Sequence, residues 1–169
     1  YNKKYWEKKE NLTITKSAVK KLNNFLEGKL EIEEVFDLEK WAWFFAVTDL
    51  TYTYHGTLLK SVKFYYNPIN GKFEPIGFDG HRQTPNYSEH LLDLFNNIDR
   101  TNFSIAKNKE TNRVNFVSTI EREFFFKGRE INYQFYNEYI KSINKISSQK
   151  FLNNFFKNRE KEIKRINSG

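Results

Sequence analysis

One carboxylate in this 169-residue chain stands where chemistry could use it. Asp79 closes the run Phe73-Glu74-Pro75-Ile76-Gly77-Phe78 and is followed by Gly80, so a strand would hold the acid while the backbone turns away freely after it. A hard divalent ion such as Mg²⁺ favours oxygen ligands of this kind together with phosphate oxygens and water. Asp-Gly is also ordinary turn chemistry, and from spacing alone the turn-capping role is the stronger of the two. His81 and Arg82 come next, where a cation could contact a phosphate; plain surface exposure accounts for them equally well. Upstream, His55 lies in the polar stretch 51–61. A histidine accepts a proton near neutral pH, so His55 could orient or deprotonate a hydroxyl nucleophile, or could simply bond to loop backbone. Asp49, close by in sequence, either orients His55 or satisfies local backbone donors, the second reading being the stronger.

The elements that must position these groups follow from period and punctuation. Val62 to Tyr66 and Lys72 to Phe78 read as two strands of a hairpin. Between them Pro68 presets φ, and Asn70-Gly71 tolerates positive φ. Before the hairpin, Thr15 or Ser17 starts a helix with Val19, Leu22, Phe25 and Leu26 at helical spacing and Gly28 at its end. Asp37 N-caps a second helix through Leu38, Trp41, Phe44 and Phe45 to about Leu50. From Ser88 onward helix dominates, with Leu91, Leu92, Leu94 and Phe95 as one apolar segment. The stretch 99–117 reads as loop with a short strand at 113–117. Ser118-x-x-Glu121 resembles a capping box ahead of Phe124 to Phe126. Tyr136, Tyr139, Ile140 and Ile143 line a further helix, and Ser148 caps a last one bearing Phe151, Leu152, Phe155 and Phe156. The fold class expected is α+β, mostly helical with a central β-hairpin, and residues 1–169 read as one domain.

Composition bounds the function classes. Hydrophobic residues make up 38% and aromatic ones 18%, enough for a sizeable core built from aromatic plates. Trp41 with Phe44 and Phe45 is expected in that core, while Trp43, on another side of the helix, could stack on a base or a partner. Cysteine is absent, which excludes a disulfide framework and a Cys-ligated metal. The three histidines lack zinc spacing, and no Walker loop, Gly-x-Gly-x-x-Gly or Gly-x-Ser-x-Gly motif occurs. No uncharged apolar run reaches transmembrane length. A formal charge of +7 favours anionic partners: nucleotides, acidic proteins, nucleic acid or anionic lipid surfaces. The basic residues of the last segment alternate with Glu160 and Glu162 in the manner of a solvated helix face. The start at Tyr1, without an initiator Met, leads us to expect a piece of a longer precursor.

The run Phe36-Asp37-Leu38-Glu39-Lys40-Trp41, Asp49-Leu50, His55-Gly56 and Lys60 to Pro68, continuing through Gly71 to Asp79, resembles the central block of CotH-family proteins. The likeness covers about residues 19 to 80. It continues weakly in Phe135-x-x-x-Tyr139, Ile146-Ser147, Phe151-Leu152 and Phe155-Phe156, which are similar to that family's C-terminal helices. The resemblance implies an atypical protein kinase that transfers phosphate from ATP to protein Ser/Thr with Mg²⁺ or Mn²⁺, on a fold like the C-terminal lobe of a kinase. It makes Asp79 a metal ligand, Ser61 an auxiliary metal ligand, His55 the base or orienting group, and His81 and Arg82 contacts to the nucleotide. The family more often has Asp where His55 stands and Asn where Ser61 stands, so a degenerate, non-catalytic kinase stays open. Much of the family's nucleotide-binding architecture lies upstream of this block, so little or no turnover is expected of this chain alone. By the same likeness, partners would be protein substrates such as coat or surface proteins, and the address the cell surface, the medium or the spore coat. Two alternatives stand beside the kinase reading: a CotH-derived binding module without transfer chemistry, and a basic nucleic-acid-binding domain. Lys63-Phe64-Tyr65-Tyr66 could form a stacking platform for the latter, although in a hairpin half of these side chains face inward, and core packing is the favoured use.

Overall fold

A computed structural model describes residues 4, 7–9, 11–57, 61–78, 80, 104–105, 115–116 and 119–168. Helix α1 runs Leu12–Leu26 and ends in a Schellman turn. Gly28, at φ 70°, donates to Phe25 O, and Lys29 N donates to Asn24 O at 2.8 Å. The helix starts earlier than Thr15 or Ser17. Thr15 sits inside it, its hydroxyl donating back to Asn11 O at 3.0 Å, so the expected cap is an interior residue. Of its expected apolar face, Leu22 and Phe25, joined by Ala18, pack on the core, whereas Val19 and Leu26 are exposed.

A short helix α2, Ile32–Val35, leads into α3, Leu38–Thr51. Asp37 caps α3 by accepting from Lys40 N at 3.2 Å. The chain leaves α3 through Tyr52, held left-handed at φ 56°, with Thr53 N donating to Thr48 O. A 3₁₀ turn, Tyr54–Thr57, follows. Strands β1, Lys63–Asn67, and β2, Lys72–Ile76, pair antiparallel with Tyr65 opposite Glu74 and Tyr66 opposite Phe73. Their connection has the expected chemistry: Gly71 takes φ 67°, Asn67 Oδ1 accepts from Ile69 N and Asn70 Oδ1 from Lys72 N. β2 ends at Ile76, two residues short of the expected end.

β3, Ser104–Ile105, pairs with β4, Asn115–Phe116, within the short strand expected at 113–117. Helix α4, Thr119–Phe125, runs into a small hairpin, β5 (Phe126–Lys127) and β6 (Glu130–Ile131), which had no counterpart in the sequence reading. Gly128, at φ 61°, stands first in its two-residue loop, the placement of a type II′ turn. Asn132 then caps α5, Tyr133–Ile146, and its amide also donates to Phe124 O, tying cap to core. Ser148 caps α6, Gln149–Asn158, as expected, and α7, Glu160–Asn167, follows. The segment around Ser88 to Phe95 and the cap at Ser118 lie outside the described residues.

The architecture is α+β, helix-rich, with three two-stranded antiparallel sheets among the described residues. No helix among them is long and apolar enough to cross a membrane. The core is aromatic, as the composition implies. Trp41 stacks on Phe124 with centroids 4.6 Å apart, and Phe36 meets Phe25, Trp41 and Phe124 edge-on. α3 and α5 meet through Phe45 against Phe135. The hairpin joins this core along one edge: Asp37 N and Trp41 Nε1 both donate to Phe73 O, at 3.0 and 3.1 Å. Phe64 and Tyr66 face inward, as alternation requires, leaving Tyr65 on the outer face.

Candidate functional site

The polar stretch after α3 and the end of the hairpin come together. An added Cβ on Gly56 would lie 2.7 Å from Phe78 O, and one on Gly80 would lie 3.9 Å from Thr53 Cβ. Only a glycine lets the 3₁₀ turn approach the Phe78 backbone so closely. His55, in that turn, is therefore carried next to the chain immediately before Asp79, and is half-buried there. Ser61 is buried at 4% exposure, two residues before β1. Asp79, His81 and Arg82 lie outside the described residues. Among the described residues no three His, Asp or Glu side chains gather as a metal-holding group.

Two buried carboxylates beside this stretch are each bonded to a residue distant in sequence. Asp49 is fully buried near the end of α3, and Tyr139 of α5 donates to its Oδ2 at 2.6 Å. Tyr139 is a partner that neither reading of Asp49 had named. Glu121 of α4 accepts from Thr57 Oγ1 at 3.1 Å. Thr57 is itself 1% exposed, so the bond fixes the 3₁₀ turn against α4 from its inner side. The pairings Thr57–Glu121 and Tyr139–Asp49 were not legible in the sequence because each bond joins residues more than sixty positions apart, and no local pattern signals it.

A third buried carboxylate locks the hairpin. Glu74, 3% exposed, accepts from Asn67 Nδ2 at 2.7 Å, from Asn70 Nδ2 at 3.2 Å and from the Tyr65 hydroxyl, and pairs with Lys40 Nζ at 2.7 Å. These donors, Lys40 foremost and Tyr65 next, hold its pKa at about 2, while the Glu74 bond raises those of Lys40 and Tyr65. Glu74 joins both strands, their turn and the first turn of α3 into one unit, leaving the end of β2 little freedom. The only hint in sequence is strand register, which sets Tyr65 across from Glu74.

Trp41 is fully buried, while Trp43 is half-buried with its ring edge-on to Phe151 at 5.6 Å and Lys145 Nζ 5.3 Å from its centroid. Trp43 thus has an aromatic neighbour within the chain itself. No family model, curated protein or solved structure matches this chain.

Proposed function

We propose that the chain carries the hairpin portion of a CotH-like phosphoryl-transfer site, in which Asp79 and the 51–61 stretch act on a nucleotide-bound metal. The supporting observation is the approach of Gly56 to Phe78, which sets the turn bearing His55 beside the backbone that leads into Asp79. In this reading the Asp79 carboxylate and the Ser61 hydroxyl are hard oxygen donors of the kind Mg²⁺ or Mn²⁺ accepts, each taking one position beside phosphate oxygens and water. The metal, when bound, would neutralise phosphate charge and fix its orientation.

The remaining work falls to the chain's own groups. His55 would orient the substrate hydroxyl or take its proton at a ring nitrogen. His81 and Arg82 would contact phosphate oxygens. The Thr57–Glu121 and Tyr139–Asp49 bonds would keep the turn from drifting away from the hairpin end. A second reading, a CotH-derived binding module without transfer, is favoured by His55 and Ser61 standing where the family more often has Asp and Asn. Thermal unfolding with ATP and Mg²⁺ tests the site: a rise in Tm that Asp79→Ala abolishes supports it, and no rise in a version extended upstream favours the binding module. Transfer of labelled phosphate then separates the two where ATP is bound.

A further inference from the structure

We infer that the paired C-terminal helices α6 and α7 form an interfacial surface that lies on anionic lipid. The two helices join end to end at Arg159, which caps both: its N donates to Phe155 O and Phe156 O, and its O accepts from Ile163 N. At 3.6 residues per turn, Phe151, Leu152, Phe155, Phe156, Ile163 and Ile166 fall within an arc of about 140°, which also holds the Arg159–Glu162 ion pair, with the Arg159 guanidinium 5.7 Å from the Phe155 ring centroid. Lys150, Lys157, Lys161, Lys164 and Arg165 are grouped on the opposite side and are exposed. The segment holds six cations against two carboxylates, and those two are engaged by Arg159 and Lys164.

Half of the apolar arc is exposed, while Phe151, Leu152 and Ile163 are half-buried. Phe151 docks on Trp43, but Phe155 is 46% exposed, Phe156 55% and Ile166 72%. Phenyl rings on one side of two successive short helices and lysines on the other are the pattern of helices lying in the headgroup region, where rings enter the acyl boundary and cations meet anionic headgroups. The excess of cations favours lipid over a protein partner, because it suits a diffuse negative surface better than a few discrete carboxylates.

The test is co-sedimentation of the whole 169-residue chain with vesicles of phosphatidylcholine alone or with added phosphatidylserine. Binding should require phosphatidylserine and weaken as salt rises. Phe155→Ser with Phe156→Ser, and separately Lys157→Glu with Lys161→Glu, should each weaken it by about tenfold or more. All four positions are exposed, so the fold should persist, and circular dichroism melting checks this. Failure to bind any vesicle, or equal binding to both compositions, overturns the proposal. So does binding of soluble polyglutamate that matches the vesicles and depends on Phe155 and Phe156, which would mark an acidic-protein surface. Self-association lost in the phenylalanine variant, without vesicle binding, would reassign the face to a second copy of the chain and equally overturn it.

Discussion

Gly56 packs against the Phe78 carbonyl so closely that a methyl group in its place would sit 2.7 Å from that oxygen. This is the contact through which the turn after α3 meets the end of the hairpin. The neighbour is backbone, which cannot rotate aside as a side chain would, so Gly56→Ala must displace either the turn or the strand end. Denaturant unfolding should show a loss of about 1–3 kcal/mol. If the proposed nucleotide site exists, the variant should also lose more of the ATP-dependent rise in Tm than an equally destabilised core variant.

Glu74 makes stability depend on acid pH. Its folded pKa of about 2 lies below the ordinary value of 4.5, so the unfolded chain binds the proton more readily. The stabilisation is complete above about pH 4.5 and disappears as pH falls towards 2. Glu74→Gln should cost on the order of 2 kcal/mol near neutrality and less towards pH 2, giving a shallower acid limb in urea unfolding. Lys40→Met removes the foremost donor and should move the wild-type acid limb to higher pH.

Tyr139→Phe deletes the hydroxyl that serves the fully buried Asp49 while preserving the ring that packs edge-on against Phe125. A loss of about 1–3 kcal/mol is expected, because the carboxylate stays behind in the core. In a double-mutant cycle with Asp49→Asn, the pair should couple by at least about 0.5 kcal/mol. Additive effects would mean the bond does not hold α3 to α5.

The two tryptophans of α3 should separate cleanly. Trp41→Ala removes a ring in contact with Phe36, Phe44, Phe45, Phe64 and Phe124, together with the bond to Phe73 O, and should cost about 3–5 kcal/mol. Trp43→Ala, at a half-buried position, should cost about 1–2 kcal/mol and mainly loosen α6, which hydrogen exchange of the α6 amides would report.

What the chain's order of residues determined by itself is local. The β1–β2 hairpin, the caps at Asp37 and Ser148 and the membership of Trp41 and Phe45 in an aromatic core were legible, because a cap or turn closes within about four residues and an aromatic surplus must be buried somewhere. The start of α1 misled for a related reason: Thr15 is a good capping residue, yet its hydroxyl found a carbonyl one turn back and the helix continued past it. Apolar spacing placed Val19, Leu26, Phe155 and Phe156 on apolar faces but could not say whether anything would cover them, and they are exposed. Only the tertiary structure decided that Asp49 meets Tyr139, that Glu121 meets Thr57, that Lys40 closes over Glu74, and that Gly56 meets Phe78. A buried carboxylate must be paired, but which donor arrives depends on how distant helices pack, and spacing along the chain does not carry that information.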